Sequence, residues 1–162
     1  MEYLSAGESA GFIDGLRRDI TLNHPLNHQN PLMKKYSFRY PAAQDLFSYS
    51  YAIACHCIHN NWGFMMITND SVYPSSVNSH LYYALRRSYG DARSIHSAPG
   101  HLFFKHEKHD MASFISIAVM NLYDCVVLSD DDEYRFSLSN DERLGVYTEG
   151  SMDWMDKWRI HS

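Results

Sequence analysis

No stretch of this 162-residue chain approaches the ~18 consecutive apolar residues of a membrane-spanning helix, so no membrane span and no membrane partner is expected. Cysteine is scarce. There are three, Cys55, Cys57 and Cys125, and an odd number does not suit a disulfide framework. Cys55 and Cys57 would point to different faces of a helix, so a bond between them would be strained. Residues 1–15 carry no Lys or Arg ahead of an apolar run, so a secretory leader is not expected. Together these features predict a reducing, cytoplasmic setting. A basic excess is missing too: 14 Lys and Arg stand against 19 Asp and Glu, a net charge of −5. Coating nucleic acid requires Lys and Arg to neutralise phosphates, so nucleic acid is not an expected partner. The chain also lacks a glycine-rich phosphate loop, a Gly-x-Ser-x-Gly elbow, a Cys-x-x-Cys and a His-Glu-x-x-His. No repeat or low-complexity segment is present.

What fills the chain is apolar and aromatic. Apolar residues make up 45% and aromatics 14%, with 12 Tyr, which is not a disordered composition. One domain of this length buries about 70% of its unfolded surface, enough for a core without staples. Residues 1–32 read as an N-terminal arm or extension, and 33–162 as a single α/β domain. Within the arm, Ala10–Ile20 has the spacing of a short helix, and the polar run Asn23–Pro31 holds two prolines that bar a helix interior. Lys34–Tyr40 alternates: Tyr36, Phe38 and Tyr40 share one face of a strand, Lys35, Ser37 and Arg39 the other. After Pro41 comes a helical stripe of Leu46, Phe47, Ser50, Ile53, Ala54 and Cys57, then a short apolar strand over 64–68. A second helix starts near Ser75 with Val77, Leu81, Ala84 and Leu85 inward, and Gly90 suits its left-handed cap. Leu102–Phe104 is a short apolar run. Glu107–Tyr123 is apolar nearly all round, as a central buried helix is. Strands over 125–128, 134–138 and 144–148 follow, then a short amphipathic helix over 151–160. This order predicts one mixed sheet with three main helices packed on it, an acidic C-terminal β-hairpin and a short terminal helix.

Ten histidines invite a search for metal or catalytic chemistry. His56 with His59, and His106 with His109, are spaced to reach one ion from a helix, and His101 lies near the second pair. The simpler reading places these histidines at exposed helix ends, and no cofactor is expected. Cys55 or Cys57 with His101 and Asp110 has the composition of a nucleophile, base and acid. A thiolate is disfavoured near a helix C-terminus, however, and Cys57 lies on the apolar stripe. A small metal- or thiol-dependent hydrolase built from these groups is the alternative to a binding protein. Lys34–Tyr40 mixes bases with aromatics, as sheet-based single-strand binders do, but its aromatics lie opposite Lys35 and Arg39 and are expected in the core.

The charge is concentrated in one place. Asp124–Glu149 holds eight acids and two bases, a net of −6 where the whole chain is −5, so the remainder sums to +1. The candidate binding residues are Asp130, Asp131, Asp132 and Glu133 in the hairpin turn, with Asp141 and Glu142 in the next break. Acids held on anchored strands can steer a basic partner with little ordering cost. A small, acidic chain without an active-site motif resembles bacterial immunity or inhibitor proteins that neutralise basic toxins, and also small phage accessory proteins. That resemblance implies a non-enzymatic module whose partner is a basic protein, a toxin or nuclease, and it assigns no residue roles.

Overall fold

The computed structural model describes residues 1–15, 34–70, 76–131 and 133–158. One seven-stranded sheet organises them. In chain order the strands are β1 (Glu2–Leu4), β2 (Lys34–Arg39), β3 (Trp62–Asn69), β4 (Gly100–Phe104), β5 (Asp124–Ser129), β6 (Tyr134–Ser139) and β7 (Arg143–Thr148). Four α-helices accompany them: α1 (Ala6–Gly15), α2 (Leu46–Cys57), α3 (Ser76–Ser88) and α4 (Lys108–Met120), with a 3-10 helix at Asp153–Trp158. The spatial order is β1-β4-β3-β5-β6-β7-β2. The expected single sheet with helices packed on it is present, and every pairing in it is antiparallel rather than mixed. The reason is topological. The α4 crossover joins β4 to β5, which run in the same direction, but β3 is inserted between them, so no two parallel strands touch.

The two faces are covered differently. On the first face α2 and α4 pack over Met65, Val127, Phe136 and Val146, and Tyr82 of α3 joins the same core. Phe114 is the hub there: its ring lies 5.1 Å from His101, 5.7 Å from Phe103 and 5.8 Å from Tyr82, centroid to centroid. On the second face α1 brings Phe12 and Ile13 onto Phe64, Met66, Val126 and Leu128. Within the expected arm, β1 is thus an edge strand of the sheet and α1 packs on its second face; the Asn23–Pro31 run lies outside the described residues. The second face of β6, β7 and β2 carries no helix among the described residues.

Most elements follow the sequence pattern. β2 buries Phe38 and half-buries Tyr36 while Lys35 and Arg39 stay exposed. α4 buries Met111, Phe114, Ile115, Ala118 and Val119, as its periodicity predicts. α3 departs from it. Leu81 and Ala84 face solvent, while Tyr82 and Arg86 are fully buried. The apolar spacing was a poor guide because the inward stripe of this helix is polar, and its burial depends on hydrogen bonds. The terminal segment forms a 3-10 helix instead of an α-helix, and still buries Met152 and Met155.

Truncating Phe114 to Ala should remove the hub of the aromatic cluster and lower stability by about 3–5 kcal/mol, read by urea unfolding.

Candidate functional site

The hairpin turn between β5 and β6 is built around Asp130. Its Oδ2 accepts backbone N–H bonds from Asn60 (2.9 Å), Asn61 (2.5 Å) and Trp62 (3.2 Å). Its own N–H donates to the Cys57 carbonyl at the end of α2. One carboxylate thus satisfies three donors in the loop that leads into β3, and it ties that loop to the hairpin. Asp130 is consumed by the fold. Asp131 and Glu133 are exposed, and Asp131 Oδ1 accepts the Glu133 N–H at 3.0 Å. Asp132 lies outside the described residues.

Asp141 and Glu142 are exposed in the β6–β7 turn, where Glu142 adopts the left-handed conformation (φ 59°). The Glu142 carbonyl accepts the Tyr40 N–H and its N–H donates to the Ser139 carbonyl, so the Ser139–Glu142 segment is a turn. Strand β6 separates the two turns, and its six residues span roughly 20 Å. The acids of this region therefore sit at opposite ends of the sheet. Near Asp131 and Glu133 the chain also exposes Glu149, Asp153 and Asp156, because the Tyr134 hydroxyl donates to the Ser151 carbonyl at 3.1 Å and holds the C-terminal segment against the turn.

Among the described residues the histidines and cysteines do not converge. Among the described residues no group of three or more His, Cys, Asp or Glu is placed to hold a metal. The His56 ring stacks on Trp154 at 3.8 Å, and its Nδ1 hydrogen-bonds the Ala52 carbonyl. His59 and His106 are exposed, and His109 lies against Tyr51 at 4.6 Å. Cys57 is buried at the end of α2, and Cys55 is half-buried beside Tyr51. Asp110, the proposed acid of a thiol triad, hydrogen-bonds Tyr89 instead. Both ring nitrogens of His101 are occupied, Nδ1 with the Pro99 carbonyl and Nε2 with the Tyr82 hydroxyl. No protein-family model, curated protein or solved structure matches the chain.

His101 instead belongs to a polar chain that the sequence reading did not assemble. Arg86, fully buried, donates to the Tyr82 hydroxyl (3.0 Å) and to the Ala98 carbonyl (2.8 Å). Tyr82 then donates to His101 Nε2 (2.7 Å), which leaves Nδ1–H to donate to Pro99. The Arg86 charge is balanced by Asp91, 3.5 Å from its Nε, and the guanidinium lies over the Tyr3 ring at 4.6 Å. Arg93 clamps Asp91 from outside and donates to the Tyr3 carbonyl, which fixes β1. Burial raises the Asp91 pKa, but the bonds from Arg93 and the charge of Arg86 outweigh it and hold the carboxyl below its ordinary value. Burial, reinforced by Arg86, pushes His101 down to about 3, so the imidazole is neutral. The available sequence signal was the i, i+4 pair Tyr82 and Arg86 on one helix.

Two predictions follow from these contacts. Asp130→Ala removes the charged acceptor of three N–H groups, those of Asn60 and Asn61 being within reach of water, and should cost about 1–2 kcal/mol in urea unfolding with an unchanged m value. For His101 the folded pKa lies below the unfolded value of about 6.5, so the unfolded state binds the extra proton. Stability should fall as pH drops below about 6.5, by about 2 kcal/mol at pH 5. In His101→Gln that part of the pH dependence should vanish, checked by thermal melts between pH 7.5 and pH 5.

Proposed function

We propose that the chain is a non-enzymatic protein-binding module of the immunity or inhibitor type, which engages a basic protein through the acidic end of its sheet. The observation that carries this reading is the Asp130 clamp. By fixing the turn to the loop at Asn60–Trp62, it holds Asp131 and Glu133 on a rigid base, where exposed carboxylates steer an oppositely charged surface without a large ordering cost. Exposed Glu149, Asp153 and Asp156 extend the same end. Cys55, Cys57 and Cys125 form no disulfide, which supports a reducing, cytoplasmic setting for this role.

The test compares wild type, Asp131→Lys/Glu133→Lys, and Asp141→Lys/Glu142→Lys at the opposite end of the sheet. Tagged forms are used to recover basic proteins from the native host, and the recovered partner is then measured for association rate against salt. Charge reversal at Asp131 and Glu133 should slow association about tenfold or more and weaken its salt dependence. The Asp141/Glu142 variant should behave as wild type. Recovery of the same partner at the same rate by all three forms would remove this end from the interface.

A further inference from the structure

We propose that the half of the sheet's second face on β6, β7 and β2, which no helix covers among the described residues, binds a short single-stranded nucleic acid. This goes beyond the acidic-end reading and stands without it. The registers place nine residues of these three strands on that face: four cations (Lys35, Arg39, Arg135, Arg143), three serines, Gly145 and Tyr147. None is acidic and none is aliphatic. The local charge of +4 lies inside the region whose total is the most negative of the chain, and the acids flank it in the turns at either end.

Three observations point outward. First, Arg39 and Arg143 are direct partners across β2 and β7, and both are exposed. Like charges directly opposite one another destabilise a strand pair. Neither guanidinium forms a hydrogen bond or ion pair among the described residues, so the pair is left to an outside anion. Second, Gly145 has no internal reason to be glycine. Its φ is not positive, β7 has no bulge, and a Cβ there would meet nothing nearer than 3.6 Å, at Ser137 Cβ and Tyr147 Cε2. With no bulge or bend among the described residues, such a glycine suits the close approach of a ligand to the strand. Third, the Tyr147 ring leans over that glycine, with Lys35 Nζ 5.5 Å from its centroid. A ring laid on a sheet among cations is how single-strand binders stack a base and hold its phosphates.

Protection of the β2 edge accounts for Lys34 and Lys35, because charge on an edge strand blocks further pairing. It does not account for Arg143 and Gly145, one strand inward. An acidic peptide would be drawn by the same cations but has no use for the bare floor and the ring. The acidic turns at both ends direct the ligand across the strands, over about 10 Å from β2 to β6. That is a footprint of a few nucleotides.

Fluorescence anisotropy of the full chain tests this, with labelled oligo-U and oligo-dT of about 12 nucleotides, a duplex of the same length, and a polyglutamate peptide as probes, at about 50 mM salt and upward. Single strands should bind best. Arg39→Ala/Arg143→Ala should lower affinity at least tenfold and flatten the slope of log K against log salt by about 1.4, since each phosphate contact on a single strand contributes about 0.7. Gly145→Ala has room for its Cβ, which meets Ser137 and Tyr147 at 3.6 Å, and loses less chain entropy than glycine, so it should fold with an equal or higher Tm and still lose affinity. Absence of single-strand binding at the lowest salt, tighter binding of polyglutamate, or affinity unchanged in both variants would overturn the proposal.

Discussion

Strands β3 and β5 carry apolar side chains on both faces, and the rest of the architecture is arranged to keep water from both. Phe64, Met66, Val126 and Leu128 point one way, Met65, Ile67, Cys125 and Val127 the other, and all are buried. A strand pair of that kind is stable only between two layers, as in sheets covered on both sides. The first layer is α2 and α4. The second is α1, whose Phe12 and Ile13 are the cover that the N-terminal residues contribute. Strands β6, β7 and β2 lie beyond the reach of α1, and their sequence changes accordingly from continuous apolar runs to strict alternation. Among the described residues no helix covers this part of the face, and its side chains take no part in the core.

The same geometry sorts the charges. An antiparallel β5-β6-β7 meander puts successive turns at opposite ends, so acids that are neighbours in sequence are separated by the length of β6. The bases of that meander, Arg135 and Arg143, fall on the open face. A net charge averaged over 124–149 conceals this division: two acidic ends with a basic floor between them. Electrostatic steering depends on where the field lines converge, and here they converge on three separate regions.

Much of the fold was legible in the sequence because it rests on periodicity. The alternation of Lys34–Arg39 and Tyr134–Ser139 and the apolar helix Lys108–Met120 each encode burial directly, and the structure follows them. β1 was missed since three residues, Glu2–Leu4, are too few for a period to show. α3 was misread for a different reason: the residues it buries, Tyr82 and Arg86, are polar, and apolar spacing does not register them. Strand direction was not legible either, as it depends on β3 entering between β4 and β5, a contact remote in sequence. For the acidic turn, the cluster was visible but the difference between Asp130 and Asp131 was not. Both are aspartates in one turn; only the positions of the Asn60, Asn61 and Trp62 amides decide which is structural.

Arg86 shows how a buried charge is made tolerable. A guanidinium removed from water is costly unless its donors and its charge are both met. Tyr82 and Ala98 each accept from one terminal nitrogen, Asp91 supplies the opposite charge 3.5 Å from Nε, which has no hydrogen-bond partner among the described residues, and the Tyr3 ring offers its negative face. Those four partners come from three parts of the chain: Asp91 and Ala98 from the loop after α3, Tyr82 from α3 itself, and Tyr3 from β1. The arginine thereby joins β1, α3 and the 91–99 loop to β4 through His101, which must remain neutral because a second positive charge beside Arg86 would have no counter-ion. The neutrality of His101 is thus a condition of the same arrangement that lets α3 bury a polar face. The edge of the sheet at β1 is held by this network as well as by strand pairing.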